Sequence, residues 1–413
     1  MPEADLLVTG LDELATPTQA GPIRGEAMGQ LRVVEDAALA IAGGRIQRVG
    51  SAEELADVDA DRRWEAEGGT LVPGFVDAHT HVVWAGDRAR ELAMKLEGAS
   101  YEEILAAGGG IHSTVASTRE ASEDELVGQT RARLDRCLAA GTTTMEAKTG
   151  YDLTVEGELA LLAVLAELDA THPMDLVPTL MGAHAIPDDV ERAAFVRELV
   201  EELTPRAARQ GLTAFCDVFV DEGAFTVDEG RAILAAGREA GLEVRIHADE
   251  LARTGAARLG LELDAASIDH CNRVTAEDVQ ALAEASVEGW DGVATLCPVT
   301  PFTSDVPYPP ARDLVEAGVP VALGSDLNPN AWSEGMWFTL ALAVHELGLT
   351  PAEALTAATA NAAASLRRSD VGRLVEGCVA DAVLVDVPSH EHVGYRVDGP
   401  PIEAVVKAGE RVV

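Results

Sequence analysis

The run LVPGFVDAHTHV, Leu71 to Val82, decides the fold. Its apolar stretch Gly74–His79 leads into two imidazoles, His79 and His81, which is how a buried strand that surfaces at a polar rim reads. Positions i and i+2 of an extended chain face the same side, about 6.6 Å apart, so the two rings can converge on one metal ion. Beyond this strand the chain alternates strand and helix. The further strand candidates are Thr142–Lys148, Asp175–Gly182, Phe215–Val220, Glu243–His247, Ala266–His270, Gly292–Cys297 and Pro320–Gly324. Apolar helical segments lie between most of them, among them Glu158–Leu168, Val227–Ala240 and Ala276–Ala285. Eight alternations in about 300 residues predict an α/β fold, a closed parallel (β/α)8 TIM-like barrel over residues 73–377.

The two ends of the chain predict a second unit. Ala38–Ile41 and Arg45–Val49 flank Gly43-Gly44, a hairpin signal. Ala380–Val387 alternates, and Ala404–Lys407 meets Arg411–Val413 across Ala408-Gly409-Glu410. A small composite β-sandwich of residues 1–72 and 378–413 is the economical reading. The long insertion Val82 to Ala140 carries Gly108-Gly109-Gly110 and is expected to be a functional lid or loop.

The chemistry-bearing residues fall where the strands end. His247 closes the fifth strand, His270 the sixth, and Asp326 follows the eighth. Strand C-terminal ends form the rim where barrel active sites gather. Taken singly, an HxH pair, a core histidine or a turn-forming aspartate is unremarkable; together His79, His81, His247 and Asp326 make an N3O set suited to zinc or to iron. Glu250, three residues after His247, is placed to shuttle a proton from water, or else to sit in the first turn of the next helix. His270 is either a further ligand or the group that steadies a developing oxyanion; the second is favoured because Asp326 already completes four ligands.

Composition narrows the partners. The 413 residues are 47% hydrophobic and 24% charged, with 70 Asp+Glu against 31 Lys+Arg and a formal charge of −39. Such a surface repels nucleic acid and anionic lipid, so neither is expected as a partner. Only three of the basic residues are lysine (Lys95, Lys148, Lys407), and acid excess with scarce lysine suits a salt-rich, halophilic cytoplasm. Five cysteines without a CxxC pair read as reduced, buried thiols. The acidic start MPEADLLVTG lacks a basic secretion-signal region, and the longest apolar stretch, Leu159 to Leu168, is broken by Glu167 and too short to span a bilayer. The expectation is a soluble cytoplasmic protein.

LVPGFVDAHTHV, HADE, SIDH and LGSDLNP together resemble the amidohydrolase superfamily, which implies metal-dependent hydrolysis in a distorted barrel with a small composite β-domain. Two-metal members carry a carboxylated lysine at the end of strand four; DVFVDEGAF has none, and Lys148 ends strand two, so the resemblance implies one divalent zinc or iron ion per subunit. Within the superfamily, DAHTHVVWAGDRARELAMKLEGASYEEILAAGGGIHSTVASTR, EAKTGYDL, LMGAHAIP and DVFVDEGAF resemble the imidazolonepropionases of histidine degradation over essentially the whole chain. That likeness implies metal ligands at His79, His81, His247 and Asp326, substrate contacts at Arg88, Tyr101, Tyr151, His184 and Glu250, a catalytic histidine at His270, and a homodimer. The implied substrate, 4-imidazolone-5-propanoate, carries a carboxylate, which Arg88 can receive with a bidentate fork. After Asp326 the family's Asn-Pro-Gly and serine become Asn328-Pro329-Asn330-Ala331: Asn328 is kept as a contact, Asn330 replaces a glycine whose φ > 0 an asparagine tolerates, and Ala331 loses a hydroxyl. The competing enzyme reading is a single-metal deaminase of a cyclic amidine or nucleobase. The non-enzyme reading is a metal-storing barrel, which Glu250 and His270 beside the ligands argue against.

Overall fold

A computed structural model describes residues 4–99, 103, 109–399 and 401–413. Strands β1 (Ala4–Pro17), β2 (Leu31–Ala42), β3 (Arg45–Ser51), β4 (Ala60–Glu65) and β5 (Thr70–Pro73) open the chain. They are followed by β6 (Phe75–Asp77), β7 (Thr142–Lys148), β8 (Asp175–Ala183), β9 (Phe215–Val220), β10 (Glu243–Ala248), β11 (Ser267–His270), β12 (Val293–Leu296) and β13 (Val321–Leu323). Strands β14 (Ala382–Val385), β15 (Ile402–Lys407) and β16 (Glu410–Arg411) close it.

The middle group forms one sheet in the order β13-β12-β11-β10-β9-β8-β7-β6, every neighbouring pair parallel. No ladder joins β13 to β6. The gap is closed instead by the segments just beyond the strands: the Asp326 N–H donates to His79 O at 2.9 Å, the His81 N–H to Leu327 O at 2.9 Å, and Thr80 pairs with Leu327. Gly324 makes that approach possible, since a Cβ there would stand 2.6 Å from the His79 Cβ. The barrel thus closes through the residues that carry the HxH pair and Asp326. Both faces of these strands are covered, which is why β9, β12 and β13 read as largely apolar runs, and the polar residues of β7 and β11, with Arg245 and His247 of β10, are buried with them.

The first and last groups form a second sheet, ordered β16-β15-β14-β5-β1-β2-β3, with β4 also pairing to β1. The expected sandwich is one continuous ladder curled round its own core: Leu6, Leu14, Leu39 and Ile46 cluster with Ala382, Leu384 and Val406 from the other end of the sheet. The hairpin at Gly43-Gly44 joins β2 to β3, with both glycines at positive φ as such a turn requires.

The insertion is not a bare loop. Its described part holds helices Ala89–Leu96, Ile111–Glu120 and Glu123–Ala139, the last packing against β7 as a barrel helix does. All five cysteines are free and buried. Among the described residues no helix is long and apolar enough to cross a membrane.

Candidate active site

The rim residues reach their positions through strained backbone. His270 (φ +69°), Cys271 (+57°), Asp249 (+51°) and Asp326 (+51°) occupy left-handed conformations that non-glycine residues adopt at a cost. Each lies at the end of, or just past, β10, β11 or β13, where the chain must bend out of the barrel wall.

Three imidazoles and a carboxylate converge there, all nearly buried. His79 Nδ1 lies 2.7 Å from Asp269 Oδ2 and His247 Nδ1 lies 3.1 Å from Asp217 Oδ2, so the Nε2 atom of each ring is left pointing inward. His247 Nε2 stands 3.3 Å from His81 Nε2, and Asp326 Oδ1 is 3.6 Å from both His79 Nε2 and His81 Nε2. Thr300 Oγ1 donates to the other Asp326 oxygen at 2.5 Å, leaving Oδ1 for the centre. Burial, reinforced by Lys148 behind His79 and by His184 beside His81, holds both of those rings well below the usual histidine range and therefore neutral. Burial also opposes a charge on His247, but the Asp217 carboxylate outweighs it and raises that pKa. Inward-facing imidazole nitrogens beside one carboxylate oxygen, with His79 Nε2 buried and lacking a hydrogen-bond partner, fit a divalent cation, and the carboxylates behind the rings are what metal-ligating histidines use to fix tautomer and orientation. His270 belongs to the same cluster: His79, His247 and His270 bring one ring nitrogen each within 4.8 Å of one another, and the donor atoms of His79, His81 and Asp326 meet the same limit. Its Nε2 lies 3.6 Å from Glu250 Oε2.

Glu250 is not a helix-start acid. The next helix, Ala256–Glu262, begins six residues on behind Gly255 and has no acid in its first turn. The Glu250 backbone N–H is instead held by Asp221 Oδ2 at 2.8 Å, and burial raises its pKa, with His270 opposing and Asp326 adding to the rise. A carboxyl raised above its ordinary range takes up a proton more readily, which suits a group that must accept one and pass it on.

Behind the rings lies a buried ion network that sequence reading missed. Lys148 Nζ contacts Glu146 Oε1 at 2.8 Å, Asp217 Oδ2 at 2.7 Å and Asp269 Oδ2 at 3.6 Å, and Arg245 reaches Asp269 and Glu146. The signal was present: Glu146, Asp217, Arg245 and Asp269 are charged residues inside strands of the barrel wall, and a charge buried there needs a partner. Three carboxylates against two cations leave a negative excess, which further suits a cation in front of the rings. Lys148 is fully engaged here with carboxylates.

These groups open on a cavity of about 950 Å³ whose lining includes His81, Arg88, Tyr151, His184, His247, Glu250, His270, Asp326, Asn328 and Asn330. His79 lies beneath it, and Tyr101 lies outside the described residues. His184 stacks on His81 with ring centres 4.6 Å apart, its Nδ1 is 3.1 Å from Gly150 O, and burial pushes its pKa down to about 3. Tyr151 is buried beside both rings, and burial raises its hydroxyl pKa. Arg88 is held by Glu91 through Nε and Nη2. The Asn328 side chain is spent on its own loop, donating to Asp326 O and accepting from the Asn330 and Ala331 N–H groups. Asn330 does not take the positive φ expected of a glycine substitute; the loop is closed by Asn328, and Lys95 Nζ lies 3.5 Å from the Asn330 Oδ1.

The amidohydrolase family model matches residues 70–412. A curated relative named imidazolonepropionase, from Haloarcula marismortui, is 43% identical over all of this chain and 97% of its own length. One of the same name from Symbiobacterium thermophilum is 44% identical over all of this chain and 98% of its own. Among solved structures, a guanine deaminase from C. acetobutylicum with bound guanine superimposes with a TM-score of 0.73 at 15% identity, covering 98% of this chain and 99% of that one. An adenosine deaminase from Xanthomonas campestris with bound zinc gives 0.72 at 18%, covering 100% and 93%. At those identities the solved structures speak for the fold.

Proposed function

Because the chain belongs to the amidohydrolase family, and within it groups with the imidazolonepropionases, we propose that it opens the ring of 4-imidazolone-5-propanoate by hydrolysis to N-formimidoyl-L-glutamate, a step of histidine degradation. The observation that carries this reading is the meeting in one cavity of a cation-binding N3O cluster, the Glu250–His270 pair and Arg88.

His79, His81, His247 and Asp326 would hold one divalent zinc or iron ion, whose Lewis acidity when bound serves the attacking water and the ring carbonyl. Glu250 takes the proton of the water as its oxygen bonds to the carbonyl carbon. His270, across from Glu250, donates a hydrogen bond to the oxyanion that forms. The carbon–nitrogen bond then breaks, and Glu250 passes its proton to the departing ring nitrogen. His184, neutral and anchored on Gly150 O, with Tyr151 beside it, fixes the ring plane. Arg88 receives the propanoate carboxylate, for which a cation is needed in a chain of net charge −39. Asn328 and Asn330 form part of the cavity wall; Tyr101 is a further contact of this reading. A homodimer free of nucleic acid and membrane, working in a salt-rich cytoplasm, completes it.

The test is turnover. Freshly generated imidazolonepropionate, mixed with metal-loaded enzyme in high salt, is expected to lose its ultraviolet absorbance as N-formimidoyl-glutamate appears, and a chelator is expected to stop it. A folded, metal-loaded enzyme without turnover would overturn the substrate assignment and turn attention to cyclic amidines and to Asn330 and Ala331.

A further inference from the structure

The helix Ala89–Leu96 buries a single side chain, and that residue is Glu91. Its leucines are turned outward, Leu92 58% and Leu96 81% exposed, so among the described residues an acid anchors this helix where an apolar residue normally would. Both Arg88 Nε and Nη2 donate to Glu91 Oε2, at 2.9 and 2.7 Å. Glu91 Oε1 accepts the backbone N–H of Gly110 at 2.9 Å. Gly110 immediately precedes helix Ile111–Glu120, whose Ile111, His112 and Ser113 line the cavity.

We propose that Glu91 is a positioning residue for the substrate carboxylate, acting through Arg88; the inference rests on the reading of Arg88 given above. A guanidinium presents two edges that can meet a carboxylate side-on. Glu91 occupies the Nε–Nη2 edge, while Arg88 lines the cavity and, among the described residues, Nη1 has no hydrogen-bond partner. In a chain with 70 acidic residues an untethered arginine is soon claimed by another carboxylate. Glu91 holds it in the one arrangement that leaves an edge for the ligand, and through Gly110 it fixes that arginine against the helix forming the cavity wall. The nearby negative charge opposes the incoming carboxylate, and the orienting effect outweighs it because a bidentate contact depends steeply on geometry.

The test compares two substrates, imidazolonepropionate and a 4-imidazolone carrying a neutral propyl arm. Glu91→Ala is expected to raise KM for the carboxylate substrate up to about tenfold, less than outright loss of the charge-assisted hydrogen bond would, with kcat and the KM of the neutral substrate unchanged. Glu91→Gln keeps an acceptor and is expected to recover most of the loss. Should the alanine variant not fold, Glu91→Asp, which draws the carboxylate back by one methylene, is expected to give the same selective rise. Equal effects on both substrates, a lower KM for the carboxylate, or no effect would overturn the proposal. Arg88→Ala serves as reference: if it too treats the substrates alike, the Arg88 reading fails, and if only Arg88→Ala discriminates, Glu91 alone is refuted.

Discussion

The two ends of the cavity are built differently. At the floor, His79, His247 and Asp326 stand on strand ends or the turns after them, buried, each braced by a second polar group: Asp269, Asp217 and Thr300. At the mouth, Arg88 and Glu91 sit on a short helix that buries almost nothing else, with side chains 17% and 8% exposed. The floor must keep several nitrogens aimed at one point, and a close-packed barrel with charges compensated from behind does that. The mouth must offer a cation that an anion can reach from water, which a braced but accessible arginine provides. Damage to the floor should therefore appear in metal binding and kcat, and damage to the mouth in KM.

The largest effect expected is that of Glu250→Gln. Loss of a general base costs about 10²–10⁴ in rate, so kcat should fall about a thousandfold while metal content is unchanged. Turnover retained by the variant would remove Glu250 from the proton path. Asp217→Asn comes next. It keeps the volume behind His247 but gives up the carboxylate, and the outer partner of a metal-ligating histidine is worth about 10–100-fold in metal affinity. Competition with a chromophoric chelator would measure it. Unaltered affinity would mean that the brace behind His247 is structural, and the contrast between floor and mouth would lose half its basis.

Arg88→Ala should leave metal affinity alone and raise KM by about 10- to 30-fold, in line with loss of a hydrogen bond to a charged group. Isothermal titration with zinc beside steady-state kinetics separates the two readouts. A fall in metal affinity would show that mouth and floor are coupled.

Much of the floor was legible because its residues sit at one repeated place, the end of a short apolar strand. The boundaries of β7 and β9 coincide with the candidate strands, and β6 is shorter only because the chain leaves the ladder to close the barrel through Thr80 and Leu327. The braces were not legible as partners. Asp269 lies 190 positions from His79, and nothing local couples them. The mouth was legible only through likeness to a family: Arg88 is one arginine among many, and Glu91 reads as an ordinary first-turn acid until the structure shows it buried. Asn330 misled for a physical reason, since the turn it was expected to make by φ is made by the Asn328 side chain.

His184 lies between the two regions, and the smallest expected effect decides which it belongs to. Its ring stacks on His81, and burial, then His247, brings its pKa down to about 3. In the unfolded chain the same ring titrates near 6.5. Above that value both states are neutral and the ring contributes its full stability. As the pH falls through 6.5 toward 3 the unfolded chain takes up a proton that the folded one refuses, and stability is lost. Between pH 7 and pH 5 this amounts to about 1–2 kcal/mol. Urea unfolding of the metal-free protein should show that loss, and His184→Gln, which removes the titrating group, should shrink the pH dependence by the same amount. A variant with an unchanged pH dependence would place His184 in contact with water and move the boundary of the dry floor inward to His81.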